Sequence, residues 1–540
     1  MRRVALILLL APSSAPAQQS TELGPIADRV FSAWNSSTPG CAVGVAKGGQ
    51  TLLERGYGMA NLETGTPNTA ETIFESGSVA KQFTATAALL LMHDGKLRLD
   101  DLVQKYVPEL PTYDRPITIR HLLSHTSGLR EWSNLVAVAG WPRGSRVHTQ
   151  NELLQTVFAQ RSLNYSPGDY YSYTNSGFAL LQTIVERVSG VPFARFSEER
   201  IFKPLGMTHT RWRTDYTTIV PGRAQAYGRR GSDWALNMPF ENVVGPGGLL
   251  TTVSDWLIWN DALDNRTMGS WLVDSLESQA TLTSGRKIRY AMGLVVSSYR
   301  GEREVAHSGS TGGYSTFLMR LPERRISVAV LCNGAGAPAT SLARQMAAAL
   351  LPAVSDAPAP DTVAAGAAVV SRISGVYRSL RTHEPLAVGV ATGRGGRGGG
   401  TLRALRDGGF LVGNSRALVD RAPDGSPTGL RVLAGDGDTI AYAFAGAARW
   451  EPTAADLRAF EGEYRTEEIP ATWTAKVEEG RLVLSVRPGA RRQLAPAYAN
   501  AFTSPGLGAV WFTRDAGGSV TAMHFGSGRL WDLELRRVGR

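Results

Sequence analysis

Cysteine is nearly absent from this chain: Cys41 and Cys332 are the only two in 540 residues. No disulfide framework is therefore implied. There is no HExxH run and no His/Asp/Glu cluster at ligand spacing, so no metal and no cofactor are expected. A GxSxG elbow is missing too, which argues against the α/β-hydrolase route to serine chemistry. Beyond the N-terminus no apolar stretch reaches membrane-spanning length, so no membrane insertion is expected. The formal net charge is +10, yet it comes from dispersed arginines and not from a basic run. With no nucleic-acid motif, this reads as a solvated surface that at most favours anionic cell-wall material.

At the N-terminus Met1-Arg2-Arg3 is a positive region, Val4 to Ala11 an apolar core, and Ala15-Pro16-Ala17 a small-residue cleavage site. Residues 1–17 are expected to be a signal peptide, too short to span a bilayer, which predicts a soluble periplasmic or secreted protein.

Three short blocks follow in order: Ser78-Val79-Ala80-Lys81, Tyr173-Thr174-Asn175 and His307-Ser308-Gly309. They supply a nucleophile, a base beside it, a second proton carrier, and a Gly-bearing stretch that lets backbone close onto a substrate. Hydrolysis through an acyl-enzyme needs that set.

Each block has decoys: Ser284 with Lys287, Tyr498 with Asn500, and His93-Asp94-Gly95 and His524-Phe525-Gly526. Context separates them. Ser78 opens the Ala/Leu-rich run Lys81 to Met92, which predicts a helix with Ser78 at its N-terminus. There, free N–H groups favour developing negative charge, and Lys81, three residues on, shares the face of Ser78. Ser284 lies instead in a polar, Gly-containing turn. An ordinary helix cap is the bland reading of Ser78; the other two blocks displace it.

Tyr173 and Asn175 sit in a turn-rich loop leading into Phe178 to Val188, an amphipathic helix pattern. The neighbouring Tyr165, Tyr170 and Tyr171 read as an aromatic cluster covering the core. His307-Ser308-Gly309 precedes two apolar stretches, Tyr314 to Leu321 and Ile326 to Leu331, with a turn between them that predicts consecutive antiparallel strands. Small residues Ser308, Gly309 and Ser310 would let a substrate lie along an edge strand.

With these blocks, and with Ile117 to Leu129, Pro204-Leu205-Gly206-Met207 and Gly245 to Trp256, the chain resembles the serine beta-lactamase and penicillin-binding-protein superfamily. The resemblance is to its class C-like branch, which includes D-aminopeptidases and family VIII esterases, and runs from about Thr21 to Leu351. It implies an α/β (α+β) catalytic domain with an antiparallel sheet and a helical subdomain. Catalysis would rest on Ser78, Lys81, Tyr173, Asn175 and His307, with Gly309 and Ser310 binding substrate and the N–H groups of Ser78 and Ser310 holding the oxyanion. Asn175 would orient Lys81, and His307 would bond to Tyr173. His307 stands where the penicillin-binding pattern has Lys, and a neutral imidazole is a poor carboxylate anchor, so beta-lactam hydrolysis is disfavoured. The expected function is a D-aminopeptidase-like peptidase or amidase; alternatives are a carboxylesterase of the same fold, or a weakly hydrolytic penicillin-binding or sensor protein. The substrate is a small peptide, amide or ester. In the family fold Cys41 and Cys332 lie on neighbouring strands, which leaves a cross-strand bond and two buried thiols both open.

The domains expected are 21–351, catalytic; 352–368, a linker without periodicity; 369–452 and 453–540, two all-β copies. The copies repeat Ile373-Ser374-Gly375-Val376-Tyr377 as Phe460-Glu461-Gly462-Glu463-Tyr464. They predict small closed, lipocalin-like barrels, because closure removes exposed sheet edges. A chain ending near Leu351 would then fold alone. Gly393 to Gly400 reads as a flexible loop within the first copy.

Overall fold

Period-two alternation explains how the catalytic domain is layered. In a computed structural model that describes residues 16–353, 362–363, 373–389, 402–406, 409–412, 415–434 and 438–539, six antiparallel strands form one sheet. Their order is Val295–Tyr299, Glu302–Thr311, Tyr314–Leu321, Ile326–Cys332, Cys41–Lys47 and Gln50–Tyr57. Alternate side chains leave opposite faces. Ala42, Ala46, Ala329 and Leu331 meet Val253 and Trp256 of the helix Val253–Asp264. Cys41, Val43, Val328 and Val330 meet Ala27, Phe31 and the helix Ala339–Ala348. Both faces are covered, so the two central strands are apolar almost throughout.

Cys41 stands directly opposite Cys332 in the register, and the two are joined by a disulfide with Cα atoms 3.9 Å apart. Of the two alternatives left open by the sequence, the structure takes the bonded one.

The helical part is built around Lys81–His93 and Asn175–Ser189, which pack together with Phe83, Leu89, Phe178 and Leu181 fully buried. The first helix is buried nearly all round, its polar Lys81, Gln82, Thr84 and Thr86 included. It starts at Lys81; Ser78 belongs to a preceding 3-10 turn, Gly77–Ala80, one turn short of the expected position.

Beyond Leu351 the structure is all-β, an eight-stranded and a nine-stranded antiparallel sheet forming a nearly closed barrel and a half-barrel. Among the described residues no hydrogen-bonded pair joins the end strands of either sheet, so closure is less complete than expected. The repeat has a shared physical basis: Tyr377 donates to Ile373 O and Tyr464 to Phe460 O, both at 2.8 Å, four residues back. Within the stretch read as linker, Thr362–Val363 pairs with Ala404 and Leu405. The expected signal peptide up to Ala15 and the Gly393 to Gly400 loop lie outside the described residues.

The nine-stranded sheet does not close its own core. Leu135, Val138 and Ala139, in and just after the catalytic-domain helix Trp132–Val138, are buried among Tyr464, Trp473 and Phe525. Trp473 Nε1 donates to Val138 O at 2.9 Å, and Arg487 Nε to Gly140 O at 2.9 Å. Arg130 and Glu468 add a buried ion pair across the same junction. The catalytic part therefore does not bury its whole interior alone, contrary to the expectation for a chain ending at Leu351. Tyr165 and Tyr170 serve this junction as well: both pack on Trp531, with ring centroids at 4.8 and 5.5 Å. They dock a barrel where the sequence suggested they cover the core.

Candidate active site

Glycine decides how the nucleophile turn meets the sheet. Gly77 has φ +54°, and a Cβ there would lie 2.5 Å from Ser310 N; one at Gly309 would lie 2.0 Å from Ser76 O. Any side chain at either position would push the Ser78 turn off the strand Glu302–Thr311. Gly309 is thus required for this packing, although it also lines the cleft, the role the sequence assigned to it. Only Glu302 to Ala306 pair with the outer strand Val295–Tyr299, which leaves His307 to Thr311 open on that side. Ser308 and Ser310 are exposed along this open stretch.

A cleft of about 1100 Å³ lies over this junction, lined by Ser78, Tyr173, Asn175, His307, Gly309, Ser310 and Arg529. Of the residues expected from sequence, only Lys81 is absent from the lining, because it lies beneath. Its Nζ is 3.0 Å from Ser78 Oγ, 2.8 Å from Asn175 Oδ1 and 2.7 Å from Pro246 O. A free amine has two hydrogens and one lone pair. The amide oxygen and the carbonyl take the hydrogens, which leaves the lone pair for the Ser78 hydroxyl proton. Burial holds the Lys81 ammonium well below its usual range; Glu131 opposes this and the charges of Arg529 and Arg143 reinforce it.

Tyr173, the second proton carrier expected from sequence, lines the same cleft. Burial pushes its phenol up, with Ser78 acting against that, so it stays protonated. Its buried hydroxyl is directed at Ser78, without a hydrogen bond of full geometry to it. The Lys81 ammonium position is 4.8 Å from the centre of its ring.

His307 departs from its expected role. Its Nε2 lies 3.1 Å from the Tyr290 hydroxyl and its Nδ1 2.6 Å from Ser308 O. Since a carbonyl only accepts, Nδ1 carries the hydrogen and Nε2 accepts from Tyr290. The bond to Tyr173 is therefore replaced by one to Tyr290; the Tyr173 and His307 rings are 6.1 Å apart. Burial, then the Lys81 charge, bring the His307 imidazole down to about 3, so it is neutral as expected.

Four further residues escape a local reading. His125, at φ +58°, is fully buried between Tyr173 and Tyr290, with ring centroids at 4.1 and 4.5 Å. Glu131 is fully buried and bonds Asn175. Tyr290 follows the Ser284 decoy by six residues. Arg529 comes from the hairpin between Val520–Ser527 and Leu530–Arg537 of the nine-stranded sheet. The only local signal for these was a histidine and an acid flanking the Ser127-Gly128 turn. The decoys are elsewhere: Ser284 is exposed, Tyr498 bonds His383 O, and His93 stacks on Trp271. Among the described residues no cluster of His, Cys, Asp and Glu is placed to hold a metal, and no helix is long and apolar enough to cross a membrane.

Comparison with known proteins agrees with this architecture. The Beta-lactamase family model matches residues 26–351. A D-aminopeptidase of Gluconobacter oxydans is 29% identical over 320 residues, 58% of this chain and 59% of that protein. Penicillin-binding protein 4* of Bacillus subtilis is 28% identical over 304 residues, 53% of this chain and 66% of that protein. The match spans less than two-thirds of the length of these relatives. The octameric penicillin-binding protein homologue from Pyrococcus abyssi shares the fold over 95% of this chain and 99% of its own, with TM-score 0.56 and 21% identity. D-amino acid amidase from Ochrobactrum anthropi SV3 shares it over 62% of this chain, with TM-score 0.52 and 21% identity. The family match over residues 26–351, with Lys81 Nζ lying 3.0 Å beneath Ser78 Oγ on this fold, makes the chain a member of the beta-lactamase family.

Proposed function

We propose that this protein is a secreted D-aminopeptidase-like peptidase or amidase that works through an acyl-enzyme on Ser78. The carrying observation is the Lys81 amine, held by two acceptors with Ser78 Oγ as its third neighbour. Ser78 Oγ attacks the carbonyl carbon while its proton passes to Lys81 Nζ. The N–H groups of Ser78 and Ser310 receive the oxyanion; one such donor is worth about 100- to 1000-fold in rate. Tyr173 donates its phenolic proton to the leaving group and regains one from Lys81. In the second half a water takes the place of the leaving group, with the proton path reversed. Asn175 keeps the amine aimed, and His307 with Tyr290 forms the wall behind Tyr173.

Peptide over simple ester is favoured by Arg529. Its guanidinium lies 4.8 Å from the centre of the Tyr173 ring, and both residues line the cleft. No ion pair of Arg529 occurs among the described residues, so it can receive a carboxylate carried by the leaving group. In this reading the cation lacking at His307 is supplied by Arg529 instead. D-aminopeptidase and D-amino acid amidase among the relatives support the choice of an aminoacyl substrate. The disulfide supports an oxidising, extracytoplasmic setting.

The test is hydrolysis of D- and L-aminoacyl amides, dipeptides, short acyl esters and a chromogenic beta-lactam by wild type and Ser78→Ala. D-aminoacyl amides and dipeptides should be cleaved best, and Ser78→Ala should lose at least about 10³-fold on all of them. Esters cleaved fast with no amide turnover would make it an esterase; a stable acyl-enzyme would make it a sensor.

A further inference from the structure

We propose that Glu131 is a positioning residue for the Ser78–Lys81 pair, acting by fixing which end of the Asn175 amide faces the lysine. This rests on Lys81 being the base, as argued above.

An asparagine amide has nearly the same shape in both orientations, but opposite chemistry at its two ends. With Oδ1 towards Lys81, the free amine donates a hydrogen and its lone pair stays with Ser78. With the NH2 group there, two donors meet and the lone pair is drawn away from Ser78. The lysine cannot enforce the choice, since as a free amine it can both donate and accept.

Glu131 can. An ionised carboxylate only accepts, and every contact of this one is with a donor. Oε1 accepts from Asn175 Nδ2 at 3.1 Å and Ser133 Oγ at 2.9 Å; Oε2 accepts from Asn175 N at 2.5 Å and Thr174 Oγ1 at 3.2 Å. The amide NH2 is thereby held on Glu131, and Oδ1 is left 2.8 Å from Lys81 Nζ. Glu131 makes no ion pair among the described residues and is fully buried, so its charge is felt across the site.

The same residue ties the site to the barrel. Its backbone N–H donates to Arg529 O at 3.3 Å, and Asn164 Nδ2 donates to the same carbonyl at 3.1 Å. Asn134 Nδ2 bonds Ser527 Oγ at 3.0 Å, and Trp531 N bonds Asn164 Oδ1 at 2.9 Å. Glu131 also caps the helix Trp132–Val138, whose far end is packed in the barrel core. One residue thus joins Asn175 through its side chain and Arg529 through its backbone.

Removing the carboxylate should leave a signature that loss of packing does not. The charged and titratable groups around Lys81 are Glu131, Arg529 and Arg143, together with Tyr173, His125 and His307. Glu131 is the one anion among them, and it favours the ammonium. In Glu131→Gln the acid limb of kcat/KM, which reports Lys81 losing its proton, should move to lower pH. At the same time kcat should fall about 10- to 100-fold with KM little changed, because the amide is free to turn. In the Asn175→Ala background the kcat loss from Glu131→Gln should vanish, since the residue it acts through is gone.

An unmoved acid limb in a Glu131→Gln protein of wild-type melting temperature would overturn the proposal, as would a fully additive cycle. If the glutamine variant does not fold, Glu131→Asp carries the test. It keeps the charge, so the limb should stay while kcat drops about fivefold or more; wild-type kcat would overturn the positioning role. Ser78→Ala separates the failures: an active Ser78→Ala removes the site reading itself, while an inactive one with an unmoved limb removes only Glu131.

Discussion

Arg529, about 450 residues after Ser78 in the chain, lies with its guanidinium 4.8 Å from the centre of the Tyr173 ring. Among the described residues the second β-domain thus furnishes the cleft arginine that makes no ion pair. Arg143 and Arg344, the other two arginines lining it, are paired with Glu241 and Glu304.

Arg529→Gln should lower kcat/KM for dipeptides about tenfold or more, because a charged contact to a carboxylate is worth roughly 1.5–3 kcal/mol. Neutral aminoacyl amides should change far less. The pH dependence has a definite sign as well. Arg529 helps hold the Lys81 ammonium down, so its removal raises that group and moves the acid limb of kcat/KM to higher pH. Steady-state kinetics on the two substrate types across pH check both effects.

His307→Lys should lower activity on carboxylate-bearing and neutral substrates in parallel. The imidazole is only 4% exposed and is engaged by Tyr290 and Ser308. An ammonium there would be buried beside Lys81 and would lose the acceptor that Tyr290 needs. Parallel rate profiles for the two classes confirm this; a gain on beta-lactams would show instead that the neutral imidazole is what disfavours them.

Cys41→Ser with Cys332→Ser should cost about 2–4 kcal/mol of stability, because the bond closes a long loop in the unfolded chain. The two residues are 291 positions apart, and neither lines the cleft. Activity at 25 °C should therefore persist while the denaturant midpoint falls, as urea titration of both proteins would show.

A chain ending at Leu351 should be unstable or associate. Leu135 and Val138 are 0% and 2% exposed only because the nine-stranded sheet covers them. Uncovering them costs about 1.5–3 kcal/mol each in lost burial, and Arg130 loses Glu468. Size-exclusion chromatography and thermal melting of the truncated protein measure this directly.

What the sequence by itself determined is what short spacing determines. Ser78 and Lys81 meet because three residues of helical rise place them on one face, and the strands around Cys41 and Cys332 follow from alternation and apolar runs. The family blocks carried the fold, and the repeated Gly-x-Tyr pattern carried the second and third β-rich units. Tertiary structure alone decided the partners of those groups. Whether His307 bonds Tyr173 or Tyr290, which end of Asn175 meets Lys81, and which cation fills the cleft each depend on residues far apart in the chain. Neither Glu131 nor Arg529 belongs to a periodic pattern. Each acts because a buried carboxylate must find donors and a docked hairpin must point its tip somewhere, and only the folded packing of helix Trp132–Val138 into the barrel sets where.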